Sequence, residues 1–451
     1  MDKMNNAAPS KARLAEIAAQ MECYHADIVK TLADLVAFPS VKAEAEEGAP
    51  YGRANREVLD FALKLGEELG FRSGNVDNRC GYLEFGEGEK MVAAVCHLDV
   101  VPVGDGWTTP PFEMSERDGF LYGRGVADDK GPLVACLYAM KALLDEGYKP
   151  PCRIRLIFGT DEECGSSCLR HYAKVAEIPV SGFTADANFP AIYAEKGHVS
   201  AFYFLARDPN TAVISKAVGG SALNMVPDAA EAEYKNQAAE LKTLAVRGKA
   251  AHASTPWNGD NAIAKLLGEL RAELGEGKDQ LLDFWAEAFA NEWNGQGLKI
   301  DFTDESGPLT CNLALLEVTP QLAKLGFDIR YPITMDRQEL EQKLRAAGEK
   351  YGFELTDYVD SEPLNLGKDS EMVRSIMKVY NDLCGTDAEA IAIGGGTYAR
   401  ALPNILAFGM LFPGDVDCFH QVDEFVDKEK LFASAKIYKD AIKALADNQA
   451  K

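Results

Sequence analysis

Ten cysteines occur in the 451 residues, yet no two form a CxxC pair, and there are only six histidines and four tryptophans. Cys164 and Cys168 stand four apart with no second pair to join them. Ordinary free thiols in a reducing cytoplasm are therefore expected. No stretch approaches the roughly 20 consecutive apolar residues that a membrane span requires. No signal peptide is expected either, because Met1 to Arg13 is polar and alanine-rich. Positive charge is scarce: 47 Lys and Arg stand against 70 Asp and Glu, a net charge of −23. That balance excludes nucleic acid and anionic membrane surfaces as partners. HExxH, the P-loop, GxGxxG and the GxSxG elbow are all missing, as are internal repeats and low-complexity segments. What remains has the makeup of an ordinary globular protein, 47% apolar and 26% charged, long enough for two or three domains.

The stretch from Val92 to Gly131 organises the chain. Met91 to Cys96 is a short apolar run without polar alternation, as in a strand buried on both faces. His97 and Asp99 follow at its carboxyl end, where chemistry collects in open α/β sheets. Some thirty residues on, GRGVADDKG places Asp128 and Asp129 between a glycine-rich turn and a helix expected from about Pro132. Taken alone, His97-x-Asp99 fits a polar pair at a strand end as well as a metal site. A second strand, 152–159, ends in Thr160, Asp161, Glu162 and Glu163, which is either a solvated acidic turn or a pair of acids aimed at one pocket. Asp186 follows a further strand end, and Cys418, Phe419, His420 and Gln421 follow a strand and a turn.

Helical stripes are expected over Ser10–Phe38, Arg53–Leu69 and Pro132–Glu146. From about Lys196 strand-like runs interleave with helices near 261–274, 280–290 and 338–351, an α+β pattern unlike the βαβ run before it. We read an α/β fold: a catalytic domain with a mostly parallel sheet and helices on both faces, split by an inserted α+β lid. The expected boundaries are 1–195, 196–364 and 365–451.

His97, Asp128, Glu163, Asp186 and His420, with Glu162 beside them, are enough to hold two metal ions through one bridging carboxylate. HLDVVP, GRGVADDKG, TDEECG, TADANFP and CFHQ, in this order, resemble the co-catalytic two-metal peptidases that include aminoacylases, carnosinases and glutamate carboxypeptidases. NMVPD (224–228), GKAAHAS (248–254), DIRYP (328–332) and GGGTYAR (394–400) resemble the PepV-type dipeptidases within that family. The resemblance implies that Asp128 bridges two divalent ions, zinc first, with manganese or cobalt as alternatives. It implies that His97 and Asp186 complete one ion, and Glu163 and His420 the other. Asp99 would orient the His97 ring, and Glu162 would be the general base rather than a ligand.

On the lid, the resemblance makes His252 the support of the oxyanion, and Asn224 and Arg330 the anchors of a substrate carboxylate; read alone, His252 fits a surface histidine, Asn224 a turn residue and Arg330 a strand ion pair with Asp328. Thr397, in the glycine-rich loop, is a further candidate substrate contact. His25, His171 and His198 fit no motif and are expected to be structural or solvated. The expected activity is hydrolysis of dipeptides or short peptides, with deacylation of N-acyl amino acids as the alternative. The lid is longer than one small sheet-and-helix unit requires. By resemblance this implies a monomer whose own His252 serves its own metals, in the cytoplasm that the free thiols already suggest.

Overall fold

The computed structural model describes residues 8–290 and 293–450. Most of the opening segment read for a signal peptide, Met1 to Ala7, lies outside the described residues, as does Asn291–Glu292. Two compact units divide the chain. One takes it up to Tyr193, then Leu366–Ile391, then onward from Gly396; the other takes Ala194–Asn365 and Ala392–Gly395.

The first unit is built on the strand Met91–His97, buried along its whole length. It runs parallel to Arg153–Gly159 on one side and Ser181–Thr184 on the other, and Ile405–Ala407 extends the parallel set beyond the latter. Antiparallel strands flank this centre, Cys80–Phe85 and Arg72–Val76 at one edge and Ile192–Glu195 next to Ile405–Ala407. Side-chain alternation shows how the sheet is covered. Arg155 donates to the Tyr172 hydroxyl of helix Ser167–Val175 at 2.7 Å. Gly81, level with Phe158, instead faces Leu59 and Leu63 of helix Arg53–Glu68. Helices thus lie on both faces, and the expected α/β class is found.

The helix expected over Ser10–Phe38 is two helices, Lys11–Ala19 and His25–Val36, joined by a turn at Glu22–Tyr24. Its apolar stripe stays in phase across the break, because Leu14, Ile17, Met21, Ile28, Leu32 and Leu35 are all buried. His25 fills the gap: its Nε2 lies 2.9 Å from the Ala18 carbonyl, and its ring stacks on Phe432.

The second unit carries a seven-stranded sheet in the order Leu241–Arg247, Ala229–Lys235, Ile214–Gly219, Thr310–Val318, Leu322–Tyr331, Gly197–Ala206, Glu354–Ser361. Every pairing in it is antiparallel. Along Gly197–Ala206 the residues Val199, Ala201, Tyr203 and Leu205 enter a core shared with Leu266, Leu270, Phe284, Leu340 and Leu344. Those partners come from helices Ala262–Leu274, Gln280–Ala288 and Arg337–Glu349. His198, Ser200, Phe202 and Phe204 alternate onto the other, half-exposed face. Among the described residues no helix is long and apolar enough to cross a membrane.

Candidate metal centre

Three neighbouring parallel strands deliver side chains at their carboxyl ends, the edge where ligands bind in open α/β sheets. His97 closes its strand level with Gly159, after which the chain turns through Thr160–Glu163; Val95 is level with Thr184, two residues before Asp186. Asp128 sits in the turn before helix Lys130–Asp145. That turn needs glycine at Gly125, where φ is 90° and a Cβ would press on Val100 and Lys130. His420 lies in the turn preceding strand Phe425–Asp427, with a left-handed φ of 62°.

Within the first unit these side chains converge. His97 Nε2 is 2.9 Å from Asp128 Oδ1 and 3.6 Å from Asp186 Oδ2. His420 Nε2 is 3.0 Å from Asp128 Oδ2 and 3.0 Å from Glu163 Oε2. The two oxygens of Asp128 therefore face two different imidazoles, and each imidazole has a further acid of its own. Donor atoms of His97, Asp128 and Glu163 all lie within 4.8 Å of one another, and so do those of His97, Glu162 and Asp186.

Hydrogen bonding and charge fit cations here. The Nδ1–H of His97 donates to the Asp99 carbonyl at 2.9 Å, so Nε2 is the nitrogen presented to the acids. Although close, His97 Nε2 and Asp128 Oδ1 are not aligned on each other, and both are buried without a hydrogen-bond partner. Such orphaned donor-set atoms mark a place for a third body. Burial holds the carboxyl pKa of Glu162 well above its usual range, with Asp186, Glu163 and Asp99 adding repulsion against the pull of His97. Burial also raises Glu163 and Asp186. Asp128 alone is lowered: His420 and His97 outweigh its burial. Asp128 and Glu163 in turn raise His420 to about 10. The pocket thus holds more buried carboxylate than its two imidazoles neutralise. A mixed imidazole–carboxylate set suits divalent ions, whose binding would displace the proton from His420.

Asp99 is fully buried, and its backbone carbonyl rather than its carboxylate makes the hydrogen bond to the His97 ring. Its carbonyl holds His97, while its carboxylate accepts from the backbone N–H groups of Glu162 at 3.0 Å and Glu163 at 3.1 Å. Its carboxylate Oδ1 lies 3.6 Å from His97 Nδ1.

Sequence reasoning gave no role to Asp129, Arg124 or Glu424. Asp129 Oδ2 accepts from the His97 backbone N–H at 2.9 Å. The fully buried Glu424 accepts from the N–H groups of Gly125, Ala127 and Asp128 and pairs with Arg124 Nη1 at 2.8 Å. Burial, with Asp128 nearby, raises its pKa to about 7 against those donors. Its position four residues after His420 was the signal available.

The second unit gathers three other candidates. Strand Met225–Val226 pairs with Ala251–His252, and Ala253 N–H donates to the Asn224 carbonyl at 2.8 Å, so Asn224 and His252 are neighbours. Both are exposed. Ser254 N–H donates to His252 Nδ1 at 3.1 Å, which leaves the ring proton on Nε2. Arg330 is buried; Asp328 grips its Nε at 2.8 Å and its Nη2 at 3.0 Å, and its Nη1 reaches the Gly394 carbonyl at 3.4 Å. Asp328 is held from behind by His198 Nε2 at 2.7 Å, so this motif-free histidine has a place in the cluster. His171 pairs with Asp77 at the surface. Thr397, in the first unit, caps the turn Tyr398–Ala401 by accepting from Ala399 N–H.

Comparison with known proteins adds to this geometry. A Bacillus subtilis protein, YtjP, named as a proposed dipeptidase, is 38% identical over 93% of this chain and 97% of its own. A Staphylococcus aureus (strain USA300) relative named in the same way is 33% identical over 94% of this chain and 98% of its own. Among solved structures, human carnosine dipeptidase 1 shares the fold with a TM-score of 0.58 at 16% identity, covering 98% of this chain and 100% of that one. Dug1p, a di-peptidase from Saccharomyces cerevisiae, does so with a TM-score of 0.57 at 15% identity, covering 96% and 98%. The description Peptidase family M20/M25/M40 matches residues 93–444, and with the strand-end site inside that span the chain belongs to this metallopeptidase family.

Proposed function

We propose that the protein is a metal-dependent dipeptidase that hydrolyses the peptide bond of dipeptides or short peptides. The observation that carries this reading is Asp128, whose two oxygens face His97 and His420 separately. His97, Asp128 and Asp186 would hold one divalent ion, and His420, Asp128 and Glu163 a second. Zinc suits this donor set, and manganese or cobalt are the alternatives. Such ions, when bound, polarise a carbonyl and bring the pKa of water from about 15.7 to about 7.

The chain's own residues do the rest. Glu162, within reach of His97 and Asp186, takes the proton of the attacking water and delivers it to the leaving amine. Asp99 positions it through the Glu162 N–H. On the inserted 196–364 lid, His252 donates from Nε2–H to the oxygen that gains charge. Asn224 and Arg330 anchor the substrate's terminal carboxylate, and Thr397 is a third contact. With Asp328 occupying Nε and Nη2, Arg330 would bind through Nη1, exchanging its long contact to Gly394 for the ligand. The names of the Bacillus and Staphylococcus relatives support a dipeptide substrate. We place the enzyme in the cytoplasm, as a monomer.

The metal-loaded enzyme should cleave free dipeptides from a mixed panel and leave their N-acetylated forms largely intact, as followed by amine release. Cleavage of the acetylated set alone would make it an N-acyl amino acid deacylase instead. The monomer is tested by mixing the inactive variants His252→Ala and Glu162→Ala. No activity should return, whereas recovery would mean that sites are shared between chains.

A further inference from the structure

The buried pair Arg124–Glu424 has no place in the proposed chemistry, yet it joins the segments that carry the site. Glu424 Oε1 accepts from Ala127 N–H at 2.8 Å, Gly125 N–H at 3.1 Å and Asp128 N–H at 3.2 Å. Its Oε2 accepts from Gly125 N–H at 3.1 Å and from Arg124 Nη1 at 2.8 Å. Arg124 Nη2 reaches the carbonyl of His420 at 3.4 Å and that of Pro102 at 3.5 Å. The guanidinium also lies over the Trp107 ring, 5.1 Å from its centroid. One ion pair therefore fastens the Asp128 turn, the His420 turn and the segment that follows His97 and Asp99. Both members are at most 1% exposed. Nothing in a solvent-facing role explains a carboxylate that collects three backbone N–H groups of one turn.

We propose that Arg124 and Glu424 are positioning residues that preset the spacing of Asp128 and His420 for the metal ions. Glu424 fixes the backbone from which Asp128 projects; Arg124 ties that carboxylate to the backbone of His420. Neither touches an ion. The inference rests on the metal reading above, and it predicts metal affinity rather than stability alone. Outer partners of this kind are worth about 10–100-fold in affinity.

The test compares apo protein titrated with Co2+ against a competing chelator, with cobalt absorption bands as the readout. The double variant Arg124→Met/Glu424→Gln removes both charges together, so no buried charge is stranded. It should bind Co2+ about 10–100-fold more weakly than the unaltered protein. Arg155→Met/Glu84→Gln removes another buried pair, whose Arg155 Nη2 and Glu84 Oε2 are 2.6 Å apart. It should lower the melting temperature without changing Co2+ affinity. Should the double variant not fold, Glu424→Asp decides, because it keeps the charge while withdrawing the oxygens by one methylene; it should shift affinity in the same direction by a smaller factor. Co2+ affinity within twofold of the unaltered protein in the folded variant would overturn the positioning role. Failure of the unaltered protein itself to bind Co2+ would instead overturn the metal reading.

Discussion

Replacing Glu162 with glutamine should lower kcat by about 10²–10⁴-fold while metal content and fold stay as they are. Glutamine keeps the shape and one acceptor oxygen but cannot take a proton from water. The effect should fall on kcat rather than KM, because the group acts on the proton in flight and not on the bound peptide. The turn that carries it should survive, since Asp99 grips the backbone N–H groups of residues 162 and 163 and not the Glu162 side chain. Steady-state kinetics and metal analysis on the same preparation check this. Loss of metal together with activity would make Glu162 a ligand, and unchanged kcat would remove it from the chemistry.

Replacing Asp128 with alanine should abolish hydrolysis and lower the number of tightly bound ions. Its two oxygens face separate imidazoles, Oδ1 at 2.9 Å from His97 Nε2 and Oδ2 at 3.0 Å from His420 Nε2, so each proposed ion loses a donor. Alanine also removes the one carboxylate in the cluster whose pKa is lowered, leaving the two imidazoles with acids that burial holds up. Equilibrium dialysis should show fewer than two ions per chain at concentrations that saturate the unaltered protein. Full retention of both would mean that the ions lie elsewhere.

Much of the centre was legible because of where it lies on the sheet. An apolar run that stops at a histidine, as at Met91–His97, shows both the strand and its functional end. The acids after Gly159 and Thr184 follow the same rule. Glu424 was illegible for the opposite reason: a glutamate in a polar stretch reads as solvated, and only the folded backbone shows three N–H groups aimed at it. Arg124 was hidden inside a motif whose aspartates drew the interpretation. His198 looked motif-free because its partner, Asp328, is 130 positions away on a paired strand. The break between Ala19 and His25 has neither proline nor glycine, and the apolar stripe runs straight through it. The second helix opens at His25, whose ring stacks on Phe432, a tertiary contact that no local pattern records.

The central claim is a pair of cations bridged by Asp128, and its most direct measurement is the metal content of active, dialysed protein set beside an anomalous-scattering map. Two ions per chain are expected, on either side of the Asp128 carboxylate, one beside His97 and the other beside His420. A single ion, or ions that do not touch Asp128, would contradict the account.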